Sequence, residues 1–200
     1  MKGKRVIVWI LAVLLVGLTA CGDRGYNSLD GRPPVEDTLK ELYSRAQECY
    51  DWFYRRTLPA AGDAIYIGGR PGYRLCSDAR FGTLEELQAY ALTCFTREFA
   101  DTYLFGSSRY AESGGKLYVQ PYEVENDRYA GHVFEMVGRT DTLLRVRAIV
   151  YCAVEPLPRD HEPFYRPPED GDSYTTRTVD MELVMTRDGW RFDQFAGIYN

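Results

Sequence analysis

The chain has 200 residues, 24 Lys and Arg against 29 Asp and Glu, and a formal net charge of −5. That is length enough for one domain with a real core. The acidic balance argues against nucleic acid as a partner, because phosphate binding needs clustered Lys and Arg. Met1-Lys2-Gly3-Lys4-Arg5 is basic, Val6 to Leu18 is apolar, and small residues follow, the three-part plan of a secretory signal over 1–20. The apolar run ends short of the roughly 18 residues a spanning helix needs. Leu18-Thr19-Ala20-Cys21 looks like a lipobox, in which the thiol of Cys21 takes a diacylglyceryl group and the chain is cut before it. The acyl chains then hold the protein on the extracytoplasmic side of the cell membrane, burying about 0.8 kcal/mol per methylene. Loss of the signal removes Lys2, Lys4 and Arg5, so 21 basic residues face 29 acidic ones and the net charge becomes −8.

Residues 21–34 are polar and rich in Gly and Asp, as suits a flexible tether. The domain proper runs over 35–200. Thr38-Leu39-Lys40-Glu41 has the capping-box spacing, and Leu39, Leu42, Ala46, Cys49 and Phe53 mark one helical face, predicting a helix over 37–55. A run of Pro and Gly from Pro59 to Gly72 interrupts regular structure, with one short strand over 64–67. Thr83-Leu84-Glu85-Glu86 opens a second helix with Leu84, Leu87, Ala91 and Cys94 inward, and 96–104 continues or restarts it. From Lys116 alternation replaces helical spacing, and strands are predicted over 117–122, 132–139, 142–154, 175–186 and 190–198. In the longest, Leu144, Val146, Ala148, Val150, Cys152 and Val154 share a face opposite Arg145 and Arg147, so the sheet is wet on one side. Asp188-Gly189 marks a tight hairpin, with Trp190 beyond it as a large ring that anchors the turn. The fold class is therefore α+β: N-terminal helices packed on one face of a curved antiparallel sheet, in a single domain.

Cys49, Cys76, Cys94 and Cys152 allow three disulfide pairings that sequence does not rank, and buried free thiols are the simpler reading. There is no CxxC and no HxxxH, so no metal or other cofactor is implied. The two histidines, His132 and His161, read as a structural residue in a strand and a surface residue in a loop. No nucleophile elbow, zinc-protease helix or phosphate loop is present, which favours a noncatalytic role.

Residues 155–172 hold half of the ten prolines, with Glu155, Asp160, Glu162, Glu169, Asp170 and Asp172 against Arg159 and Arg166, a local balance of −4. This segment is expected to project as a stiffened hairpin tip. Its acids Asp160, Glu162, Glu169, Asp170 and Asp172 would steer a basic partner, and Phe164 and Tyr165 would supply the buried anchor.

Tyr73-Arg74, Thr83 to Tyr90 leading to Phe95-Thr96, Gly115 to Pro121 and Gly189-Trp190-Arg191-Phe192 occur in an order that resembles the IseA family of exported inhibitors of D,L-endopeptidases, cysteine peptidases that cut peptidoglycan stem peptides. The resemblance implies a noncatalytic protein that occupies the cleft of a cell-wall hydrolase and restrains wall turnover. The alternative is a small-ligand or envelope-assembly binding module on a cone-like α+β fold. A large apolar cavity beneath the helices would favour that alternative, and a filled core the inhibitor.

Overall fold

The structure, a computed structural model, describes residues 36–158, 160–169 and 173–198. The signal 1–20, Cys21 and the tether 21–34 lie outside the described residues, as do Arg159, Asp170 and Asp172 of the proline-rich segment.

Helix α1 (Asp37–Tyr54) buries Leu39, Leu42, Ala46, Cys49 and Phe53, the face its periodicity predicts. Its N-cap is Glu36, without a side-chain capping bond, so the capping box expected at Thr38 does not form. Glu36 instead pairs with the Arg139 guanidinium across the fold. Strands β1 (Ala60–Ile67) and β2 (Arg70–Cys76) follow as a hairpin, then α2 (Leu84–Cys94), whose capping box at Thr83 is complete in both directions. A short helix α3 (Arg97–Phe99), capped by the Thr96 hydroxyl, runs into a π-helical turn over Ala100–Leu104. After β3 (Tyr110–Ser113) and β4 (Lys116–Val119) come β5 (Tyr129–Arg139), β6 (Leu143–Ala153), β7 (Tyr174–Thr186) and β8 (Gly189–Gln194).

The strands form two antiparallel four-stranded sheets, ordered β1-β2-β4-β3 and β5-β6-β7-β8. The second holds the last four strands of the predicted meander; the strand predicted over 117–122 is β4 and lies in the first, so the single sheet expected is two. Of the first, the sequence showed β4, predicted over 117–122, and the end of β1, predicted over 64–67, but not β2, which contains Pro71 and Gly72, nor β3, which is four residues long. Both sequence features look like punctuation when no pairing partner is visible.

Helix α1 ties the sheets together. Tyr43 packs edge-on against Phe134 of β5 and Phe192 of β8 at ring separations of 4.6 and 6.4 Å, while Phe53 meets Tyr110 of β3 at 5.3 Å. The Tyr110 hydroxyl donates to the Trp52 carbonyl at 2.8 Å and accepts from the Leu58 amide at 3.1 Å, fixing β3 to the end of α1. On β6, Leu144, Val146, Ala148 and Val150 are buried in the core as predicted, whereas Cys152 of the same face is half-buried and Val154, just past the strand, is exposed. On the other face Arg145 bonds Glu182 at 2.9 Å and Arg147 bonds Asp180 at 2.7 Å, each directly opposite its partner on β7. Toward the far end that face is not wet: Tyr151 and Ala153 are buried.

Among the described residues the four cysteines, Cys49, Cys76, Cys94 and Cys152, are free thiols, Cys49 and Cys94 fully buried between α1 and α2. Among the described residues no helix is long and apolar enough to cross a membrane. Trp190 is half-buried against the core rather than enclosed by it.

Candidate functional site: an acidic cleft and the arm that walls it

Positions 43, 47, 51 and 55 of α1 stand one above another at i, i+4 spacing. They carry a polar ladder: the Tyr43 hydroxyl donates to Gln47 Oε1 at 2.9 Å, Gln47 Nε2 donates to Asp51 Oδ1 at 2.8 Å, and Arg55 Nη1 lies 3.7 Å from Asp51 Oδ2. The Ile198 amide also donates to Gln47 Oε1, at 3.2 Å, closing the C-terminal segment over the ladder. Burial raises the Asp51 carboxyl to about 6, against the opposing pull of Arg55 and Gln47.

The ladder ends in a cleft of about 540 Å³ between the second half of α1, the connection from β4 to β5, and the start of the proline-rich segment. Glu48, Asp51, Glu123, Glu125 and Asp127 line it with Arg55, Arg56, Tyr129 and His161. Most of this charge is already matched: Glu48 by Arg80 at 3.1 Å, Asp51 by Arg55, and Glu123 by Arg56 at 3.9 Å. Glu125 and Asp127 make no ion pair among the described residues, so the charge free to meet a cation sits on that connection. None of the lining residues is a serine, cysteine or threonine. Among the described residues no three His, Cys, Asp or Glu converge as a metal site.

The proline-rich segment does not project. It folds back along β5, an edge strand, and pairs with it in a single parallel bridge between Phe164 and Gly131. The Phe164 amide donates to the Ala130 carbonyl at 3.1 Å, and the His132 amide donates to the Phe164 carbonyl at 3.0 Å. His161 Nε2 reaches the same Ala130 carbonyl at 2.9 Å, and the Leu157 amide donates to Asp127 at 2.7 Å. The physical reason is the unpaired row of backbone groups that an edge strand presents, which an extended segment satisfies. Gly131 makes the contact possible, since a Cβ built there would lie 2.2 Å from the Phe164 carbonyl oxygen.

The predicted contact residues therefore separate. Phe164 is half-buried, its ring 5.4 Å from both Tyr151 and Tyr174, where it seats the arm on the sheet. This is what buries Tyr151. Tyr165 is 70% exposed, its ring edge-on to His132 at 5.2 Å, and Asp160, Glu162 and Glu169 on the same segment are exposed as well. Asp170 and Asp172 lie outside the described residues.

His161 is not a free surface residue but a second anchor of the arm. His132 is structural, as its strand position suggests: it is buried with Nδ1 2.5 Å from the Tyr129 hydroxyl, and burial lowers it to about 4. Sequence reasoning passed over the cleft itself. The i, i+4 ladder on α1 and the acid-rich run Glu123-Val124-Glu125-Asn126-Asp127 were its two visible signals.

No protein-family model matches the chain, and no curated protein is found to match it.

Proposed function

We propose that this chain is an exported, lipid-anchored, noncatalytic binding protein that restrains cell-wall hydrolysis by engaging a cysteine D,L-endopeptidase. The observation that carries the reading is the filled interior. Between α1 and the meander, where a ligand-binding cone would be hollow, only about 10 Å³ remains among Leu39, Tyr43, Phe134, Val146, Met181, Leu183 and Phe192. That is about one water. An accessible concavity is present instead in the acidic cleft, open to solvent and walled by an arm that carries an exposed tyrosine. Acids on such a rim speed encounter with a basic surface, and an aromatic anchor slows release.

The cleft also gives the small-ligand alternative a definite address. Its volume lies within the roughly 300–1,000 Å³ of small-molecule sites, and its lining suits a cationic ligand rather than an apolar one.

The deciding experiment adds residues 22–200 to purified D,L-endopeptidase digesting peptidoglycan, alongside capture of partners from wall extract on the same immobilised domain. Slowed stem-peptide release together with retention of the hydrolase supports the inhibitor. An unchanged digestion rate with no hydrolase retained refutes it. Binding of a small polyamine at the cleft, lost in Asp127→Asn, would then favour the alternative.

A further inference from the structure

Strands β6 and β7 stay paired up to the last residue of β6 and the first of β7, Ala153 opposite Tyr174. A two-residue turn suffices to join strands that meet this way. The fold thus has no topological need for the long excursion between them, yet that excursion returns to lie on β5, two strands away from β7.

Its hold is local. Among the described residues it rests on two backbone hydrogen bonds at Phe164, the Leu157 amide on the Asp127 carbonyl, the His161 imidazole on the Ala130 carbonyl, the Tyr165 ring against His132, and the Phe164 ring in the notch between Tyr151 and Tyr174. The receiving edge is shaped for such a guest. Ala130 stands at a register shift of the β5–β6 ladder, between Tyr129 opposite Cys152 and Gly131 opposite Tyr151, and its carbonyl accepts both Phe164 and His161. At Gly131 the strand carries no side chain, so the guest's backbone and ring close to distances that any Cβ would forbid. Adding a strand to a sheet edge, with backbone bonds for affinity and a side-chain notch for specificity, is a recurrent way to bind a peptide.

We infer that the β5 edge at Ala130–His132 is a peptide-docking edge occupied in the resting protein by its own arm, and that an extended segment of a protein partner takes the arm's place. The segment lies parallel to β5, puts an aromatic residue into the Tyr151–Tyr174 notch, and carries a hydrogen-bond donor three residues earlier, as His161 precedes Phe164. This deepens the reading of the domain as a protein-binding module by naming the edge it offers and the chemistry of the guest. The arm is then an autoinhibitory contact, and its release exposes the edge.

The probe is a synthetic peptide of the arm itself, residues 157–169, offered in trans to the full chain. With saturating peptide, hydrogen exchange at the chain's own Phe164 amide should quicken by about tenfold or more while the His132 amide stays protected, because a new guest has replaced the old one. Unchanged exchange at Phe164 overturns the proposal. A second arm of the experiment uses His161→Ala with Phe164→Ala in the chain, which releases the arm without touching the seat. This variant should bind the peptide about tenfold or more tightly than wild type does, a gap of roughly 1.4 kcal/mol. Gly131→Val added to it, or Phe164→Ala in the peptide, should abolish that gain. Equal affinity of the released and wild-type chains, or binding that survives Gly131→Val, overturns the proposal. No hydrolase enters these measurements, so their failure leaves the inhibitor reading standing, and failure of endopeptidase capture leaves the docking edge standing.

Discussion

Asp51→Asn tests whether the ladder on α1 holds a carboxyl that prefers its proton. The folded carboxyl sits at about 6 against 3.8 for an ordinary aspartate, with burial as the cause. Between those values the folded chain binds more protons than the unfolded one, so this site's contribution to stability falls as pH rises from about 4 to 6 and stays low above that. At 1.36 kcal/mol per pH unit the full effect is about 3 kcal/mol, and an order-of-magnitude expectation is about 1–3 kcal/mol. The side chain is only 20% exposed, so solvent screening removes little of it. Asparagine keeps the acceptor for Gln47 Nε2 and never ionises, so the variant should match wild type near pH 4 and exceed it by that amount near pH 7. His132 works in the opposite sense over much of the same range. Its folded value of about 4 lies below 6.5, so its contribution is fully present above about 6.5 and is lost as pH falls toward 4. The two sites offset one another in the native chain, and Asp51→Asn should leave the His132 slope uncovered. Urea denaturation followed by tryptophan fluorescence at several pH values from about 4 to 7.5 measures both curves. A difference between the two proteins that does not change with pH, or one that favours aspartate as pH rises, would refute the reasoning.

Other outcomes can be checked by simpler means. Phe192→Ala removes a ring 2% exposed and packed against Tyr43, Phe95 and Phe195, and should cost about 3–5 kcal/mol by chemical denaturation. Trp190→Ala should cost less, about 1–3 kcal/mol, because its ring is only half-buried; a loss equal to that of Phe192→Ala would show the hairpin to be anchored from its tip. Thr83→Ala breaks the capping box of α2 and should lower stability by about 1 kcal/mol, whereas Thr38→Ala, which caps nothing, should change it by less than about 0.5 kcal/mol. Cys21→Ser should abolish incorporation of a labelled fatty acid, and label retained by the variant would remove the lipid anchor from the account.

The local code was legible wherever periodicity and capping act over a few residues. The buried face of α1, the complete cap at Thr83 and the alternation of β6 with its arginines outward all follow from side chains three, four or two apart. So does the turn before Gly189, whose φ of 104° suits a residue without a Cβ. The first sheet was only half legible: β4 and the end of β1 show in the sequence, whereas β2 and β3 are strands by virtue of pairing with β4, and Pro71 and Gly72 speak locally for a break. The proline-rich segment shows the same division most clearly. Its sequence alone determined that it would be extended, acidic and outside the core. Only the tertiary structure decided that it would lie back on β5, because that outcome depends on Gly131, Ala130 and Tyr151, residues 13 to 34 positions away that present an open edge and a notch. The cleft arose in the same way: α1 supplies Asp51, the connection after β4 supplies Asp127, and the arm supplies His161. Each lies on a different segment, and packing rather than spacing brings them to one cleft.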